Sequence, residues 1–332
     1  MNNLMQALGE FQVKLFNYEN YAYNSGNISS YYSSYNYLIN NLNMKSHLLI
    51  KSKSLAVYLI FVVFCSIASL PAADAQTIAK IPYGNNPEVG RYAKVNGMQM
   101  YYEIYGEGKP LVLLHGNGGS IAGQRGRIDY YKKYFKVIAV DSRAHGKSVD
   151  TLSKTITYDQ MAKDVNDLLA SIHVDSAYIW GQSDGGILAL LLGIHYPEKT
   201  AKIATFGANT IPGKKAIFDE IDQMVKDTLK TTKNAHTRLL FNLLDKEPHI
   251  TKADLAQIKA PVLLMSGDRD AIRLEHTLSI YDAIPNSNLF IMPGASHFGS
   301  YEKTDLFNQV LMDFFTKPFS KVSTVDIFTG KH

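Results

Sequence analysis

Cysteine is almost missing from this chain. Of 332 residues only Cys65 carries a thiol. That excludes an intramolecular disulfide, a Cys-rich zinc site and a Cys-x-x-Cys redox pair. Arginine is scarce as well, seven residues against twenty-seven lysines. Phosphate-reading surfaces favour the arginine fork, and no Lys/Arg run lies beside interleaved aromatics, so nucleic acid is excluded as a partner. Charge of either sign is modest: 34 Lys and Arg against 30 Asp and Glu leave +4. Neither a G-x-G-x-x-G nor a P-loop pattern occurs, so nothing suggests a nucleotide. No internal repeat is visible. Long apolar runs are also lacking. Leu55 to Leu70 is about sixteen residues, short of the roughly twenty that span a bilayer.

What is present is a 46% hydrophobic chain, ample for a core and long enough for two domains or one large α/β domain. Residues 1–43 stand apart. They hold ten asparagines, seven tyrosines and three charged residues, and no helix or strand period persists. This composition predicts a low-complexity extension. Met44 to Lys53 is basic, Leu55 to Leu70 is apolar, and Ala73-Asp74-Ala75 is a small-residue exit. That is the layout of a secretory signal peptide over 44–75. It makes Met44 the expected start, 1–43 over-called upstream sequence, Gln76 the mature N-terminus, and the protein secreted or periplasmic. The competing reading is an uncleaved anchor, the only case in which a stable membrane partner is expected. A lipid-modified Cys65 is disfavoured, because Phe64 precedes it where a small residue is needed.

The folded domain is expected to begin at Gly90. Arg91 to Tyr105 reads as two strands joined at Asn96-Gly97, a strong hairpin signal. Leu111 to Leu114 and Phe135 to Val140 are short apolar strands, as in a sheet buried on both faces. Tyr158 to Ile172 carries a helical stripe of Met161, Val165, Leu168 and Leu169. Tyr178-Ile179-Trp180 ends another strand, and Ile187 to Leu192 begins an apolar helix. Ala201 to Phe206 is a sixth strand. Residues 208–257 then break the rhythm with two amphipathic helices, read as a small helical cap. Strands resume at Pro261 to Met265 and Leu289 to Met292. A helix near Arg273 to Ala283 lies between them, and Thr304 to Phe315 forms the closing helix. Residues 317–332 read as a loose tail, and Tyr101-Tyr102 as strand surface. The alternation predicts an α/β fold with a mostly parallel sheet flanked by helices.

One turn organises the chemistry. Gly181-Gln182-Ser183-Asp184-Gly185 lies between a strand and a helix, the context that gives G-x-S-x-G meaning. Small neighbours let strand and helix approach, and the helix N-terminus favours developing negative charge at the serine. A serine hydroxyl needs a base, and the base needs an orienting group. Two later strand ends supply them: Ser266-Gly-Asp-Arg-Asp270 and Pro293-Gly-Ala-Ser-His297. Asp268 competes with Asp270 as the acid. The other histidines, among them His115, His145, His195, His236 and His276, read as structural.

With these residues in hand, the chain from about Arg91 to Phe315 resembles the α/β-hydrolase superfamily. The likeness rests on His115-Gly-Asn-Gly118, Asp141 to Ser148, Gly181 to Gly186, Gly267 to Asp270 and Gly294 to His297. Within it the chain is most similar to the biphenyl hydrolase-like (valacyclovir) branch, through Ser-Asp-Gly-Gly at the turn and Gly207-Ala208-Asn209 after the sixth strand. The resemblance implies Ser183 as nucleophile, Asp270 as acid by the G-x-x-D spacing, and His297 as base. It implies an oxyanion hole from the Asn117 and Asp184 backbone amides, and neither metal nor organic cofactor. The Asp184 carboxylate is then either a helix-dipole partner or a reader of a substrate amine. Two positions depart from the branch: Gln182, where an aromatic is common, and Ala144, where glycine is usual. Both are read as lying away from the triad.

The expected function is serine hydrolysis of a small carboxylic ester, or a related lactone or thioester, through an acyl-enzyme. An aminopeptidase-type peptidase uses the same parts. A non-catalytic receptor or a surface-anchored binding module on the same scaffold remains a different class. Dehalogenase and epoxide-hydrolase chemistry needs a carboxylate where Ser183 stands.

Overall fold

Asn96 and Gly97 carry the first turn, at φ 40° and φ 82°. Both lie in the left-handed region that a two-residue hairpin uses. They join β1 (Gly90–Val95) antiparallel to β2 (Met98–Tyr105). The computed structural model describes residues 81–150 and 153–330. The extension 1–43 and the signal segment 44–75 lie outside the described residues.

Six further strands complete one sheet: β3 (Pro110–Leu114), β4 (Lys136–Val140), β5 (Ala177–Gln182), β6 (Thr200–Phe206), β7 (Val262–Arg269) and β8 (Ser287–Ser296). Their order is β1-β2-β4-β3-β5-β6-β7-β8. The pairs β1–β2 and β2–β4 are antiparallel, and every pair from β4 to β8 is parallel. The connections carry helices α1 (Arg125–Tyr131), α2 (Tyr158–Ser171), α3 (Asp184–His195), α4 (Asp219–Thr231), α5 (Ala235–Lys246), α6 (Lys252–Leu255) and α7 (Leu274–Ala283). After β8 come α8 (Gly299–Glu302), α9 (Thr304–Thr316) and α10 (Thr324–Thr329).

The strand period of two divides the core into two layers. Leu111, Leu113, Tyr178 and Trp180 pack with Ile128 and Tyr131 of α1 and with Phe307, Leu311 and Phe315 of α9. Val112, Leu114 and Ile179 face the other way, onto Met161, Val165 and Leu168 of α2 and Leu188 and Leu192 of α3. Near-continuous apolar strands follow from that double coverage. The cap of α4, α5 and α6 is inserted between β6 and β7, as the break in rhythm over 208–257 predicts.

Three sequence readings need correction. Tyr101 and Tyr102 are buried rather than surface residues. Residues 83–90 fold back over β2, so ordered structure starts before Gly90. Glu103, fully buried, accepts from the backbone N–H groups of Gly84 and Asn86 and from the hydroxyls of Tyr101 and Tyr105. Four donors satisfy a carboxylate that burial would otherwise penalise heavily. The tail is not uniformly loose. Ser323 and Asp326 form a reciprocal capping box, and Gly330 at φ 67° closes α10. That helix buries nothing, so it leaves no apolar period to read. Finally, α1 escapes the sequence reading because it is short, carries Gly126 in its first turn, and has only Ile128 and Tyr131 to mark a stripe.

Candidate active site

β5 runs into α3 with no intervening loop, and Ser183 is the hinge. Its backbone stands at φ 53°, ψ −120°, a conformation that costs a non-glycine residue on the order of 1–3 kcal/mol. Neighbouring contacts hold it there. The Ser183 N–H donates to Phe206 O, and Ser183 O accepts from Gly186 and Ile187. The motif glycines are steric necessities. A Cβ at Gly181 would lie 1.9 Å from Gly185 O, and one at Gly185 would lie 2.2 Å from Leu114 O.

The loop after β8 brings His297 to the same cavity. His297 Nδ1 donates to Asp270 Oδ1 at 2.6 Å. That fixes the neutral tautomer with Nε2 unprotonated and available as a base. Asp270 Oδ1 also accepts from Ile272 N, while Oδ2 accepts from Gly267 N and the Ser266 hydroxyl. Burial alone would raise its pKa. The hydrogen bond from His297 and those from the two amides outweigh that and hold the carboxyl below its usual range. Asp268 is exposed and instead accepts from Ala295 N, tying β7 to β8. Of the two aspartates, Asp270 is the one that meets His297. Gly207, at φ 64°, gives the imidazole room: a Cβ there would meet His297 Cε1 at 2.7 Å.

The glycine-rich loop after β3 faces the elbow. Among the described residues the backbone N–H groups of Asn117 and Asp184 meet no protein acceptor, so both remain available to a negatively charged oxygen. Two histidines brace this loop. Ser142 N donates to His115 Nε2, and Gly118 N donates to His145 Nε2. The Nδ1 protons then go to Gly116 O and Arg143 O, so both rings are neutral. Asp141 and Ser148 brace the same region through Ile121 N, Lys147 N and Tyr101 N. Arg143 ties it to Asp164 of α2 and to Asp150.

Burial pushes the His115 pKa down to about 3 and that of His276 down to about 4. His276 Nε2 accepts from Thr210 N, anchoring the entry to the cap. An unfolded histidine titrates near about 6.5. Below that pH the unfolded chain binds protons that the folded chain refuses. Stability is therefore full above about pH 6.5 and declines as pH falls toward the folded values. Urea midpoints should show this decline. His276→Gln, which keeps an acceptor for Thr210 N, should flatten it between about pH 6.5 and 4; an unchanged slope would remove His276 from the account.

The cavity measures about 430 Å³. Its apolar lining includes Ile217, Ile221, Met224 and Val225 of the cap with Phe298 and Tyr301. Of the four cap residues only Val225 is buried, so the face they share is largely cavity wall. Acidic side chains gather around Tyr158 in the same lining. The Asp184 carboxylate is 2% exposed and accepts from Asn117 Nδ2 at 2.9 Å. Burial raises its pKa, against the opposing pull of Asn117 and His145. The Tyr158 hydroxyl lies close to it, buried without a well-formed hydrogen bond. Half-buried Glu247, its pKa also raised by burial, lines the same cavity.

The two departures from the branch pattern have physical consequences. Ala144 sits at φ 61°, which is why glycine is usual there. Gln182 does reach the triad, contrary to the sequence reading: its Nε2 donates to His297 O at 3.0 Å.

A mostly parallel sheet with a serine turn after β5 and the Asp270 and His297 loops after β7 and β8 is the architecture of the α/β-hydrolase fold. The family model for the alpha/beta hydrolase fold matches residues 109–235. The human serine hydrolase BPHL is 27% identical over 245 residues, covering 66% of this chain and 84% of its own length. A 2-hydroxy-6-oxononadienedioate/2-hydroxy-6-oxononatrienedioate hydrolase of Paraburkholderia phymatum is 24% identical, covering 65% of this chain and 91% of its own. Among solved structures, the enol-lactonase of Burkholderia xenovorans superposes with a TM-score of 0.58 at 21% identity, covering 68% of this chain and all of its own. That likeness speaks for the fold. These two curated relatives are named as hydrolases.

Proposed function

We propose that the protein is a serine hydrolase of small carboxylic esters, with Ser183 as nucleophile, His297 as base and Asp270 as its orienter. One observation carries the reading: the His297–Asp270 pair opens onto the same cavity as a serine held at φ 53°. His297 Nε2 takes the Ser183 proton as Oγ attacks the ester carbonyl. The Asn117 and Asp184 amides receive the oxyanion; one such donor contributes about 2.7–4 kcal/mol. His297 then gives its proton to the departing alcohol. In the second half-reaction it removes a proton from water, whose oxygen attacks the acyl carbon and releases Ser183. Turnover of an ester panel by the chain from Gln76 tests the reading, and its inertness toward both esters and a fluorophosphonate would sink it. The 44–75 segment is proposed to direct export to a secreted or periplasmic location, and a natural N-terminus other than Gln76 would count against cleavage there.

The acidic side chains narrow the substrate. Among the described residues the lining contains no Lys or Arg, a poor site for the dienedioates named for the bacterial relatives. Asp184, Glu247 and the Tyr158 hydroxyl instead suit a substrate bearing an ammonium group, with its apolar part against the cap. An amino-acid ester should therefore be preferred to its deaminated analogue, and Asp184→Asn should erase that preference mainly through KM. An undiminished preference in the variant would rule out Asp184 as the reader. The same feature favours a second reading, an aminopeptidase-type peptidase, which amide turnover on matched substrates separates from the esterase.

A further inference from the structure

A guanidinium is buried behind the elbow with no carboxylate to balance it. Arg127 of α1 is 5% exposed. Its Nη2 donates to Gln182 Oε1 at 3.0 Å and to the Ser300 hydroxyl. Its Cζ lies 3.9 Å from the centre of the Tyr301 ring, with Trp180 and Phe307 also nearby, while Nε is left without a partner. Burial lowers its pKa; Tyr301 and Tyr131 oppose that in part, and among the described residues no carboxylate does. Desolvating a cation is costly, and aromatic faces offset that only in part. An apolar side chain would fill this space more cheaply, so packing does not explain the arginine.

Its hydrogen bonds have a fixed direction. A guanidinium donates and never accepts. Ser300 Oγ accepts from Arg127, so its own proton goes to Gln182 Oε1, 2.7 Å away. Gln182 Oε1 thus receives two donors, and the amide cannot flip. Its Nε2 must point the other way, where it donates to His297 O at 3.0 Å. Gln182 directly precedes Ser183 in the chain. One side chain therefore spans from the nucleophile turn to the backbone of the base.

We propose that Arg127, Ser300 and Gln182 form a strut that sets the position of His297 relative to Ser183, with Arg127 locking the amide in its donating orientation. All three are positioning residues. The proposal rests on Ser183 and His297 being the reacting pair. A strut of this kind matters because misplacing reacting groups by about 1 Å can cost 10²-fold in rate.

Gln182→Glu is the test. Glutamate matches the length and still accepts from Arg127 and Ser300, but its carboxylate cannot donate to His297 O. The expected result is a kcat lower by about tenfold, the equivalent of one hydrogen bond, with KM within about twofold and a Tm no lower than the parent's. Arg127→Met should lower kcat similarly, and the double variant should lose no more than the larger single loss. Parent-like kcat in Gln182→Glu, a change confined to KM, or additive losses would each overturn the strut. Should Arg127→Met fail to fold, the Gln182→Glu kinetics decide alone. Ser183→Ala measured alongside keeps the two levels apart. Persistent turnover there defeats the hydrolase reading itself, whereas an inactive Ser183→Ala beside an unaffected Gln182→Glu defeats only the strut.

Discussion

Replacing Ser183 by alanine is expected to lower ester turnover by about 10⁶-fold, the scale seen when a well-tuned triad loses its nucleophile. That is roughly 8 kcal/mol of barrier, far beyond any single contact in the cavity. Folding should be unaffected. The hydroxyl makes no hydrogen bond that holds the elbow; the turn is fixed by backbone contacts from Ser183 to Phe206, Gly186 and Ile187. Circular dichroism and an unfolding midpoint would establish the intact fold, and ester turnover would then report on chemistry alone. A folded variant with turnover near that of the parent means that the oxygen attacking the substrate is not Ser183 Oγ.

The second large effect separates two aspartates only two residues apart. Asp270→Asn should reduce turnover by about 10⁴-fold, because an amide nitrogen facing His297 Nδ1 favours the tautomer with its proton on Nε2, where a base must be bare. The substitution is awkward in either orientation. Turned one way, its NH₂ faces Ile272 N and His297; turned the other, it faces Gly267 N. A buried donor left facing a donor costs about 1–3 kcal/mol, so the unfolding midpoint should drop as well. Asp268→Asn touches only strand-end bonds to the Gly294 and Ala295 backbone and should leave turnover nearly unchanged. The reverse ranking of the two variants would transfer the orienting role to Asp268.

Strands and elbow were readable from the sequence because their causes are local. Val112 and Leu114 alternate with Leu111 and Leu113 across a doubly covered sheet, and Gly181 and Gly185 flank Ser183 because a Cβ has no room. The strand ends that carry Asp270 and His297 were readable too, since each of these residues follows an apolar strand within a few positions. Other features depend on distant partners and left no local mark. Nothing around Gln182 announces that it meets His297 O, 115 positions away. Tyr101 looks like surface until residues 83–90 are seen to cover it. The period of Ile217, Ile221, Met224 and Val225 gives a helix face, but not whether that face meets protein or a cavity. Helix α1 was missed because it is short, carries Gly126 in its first turn, and has only Ile128 and Tyr131 to mark a stripe.

The position of the cap in the chain has one more consequence. It is a single uninterrupted insertion between β6, ending at Phe206, and β7, beginning at Val262. Ser183 lies before it, and Asp270 and His297 after it. The instructions for breaking a bond and much of the mould that selects which bond to present are therefore written in separate passages of the polypeptide. Exchanging that one passage alters the mould while the reacting groups keep their own strand ends.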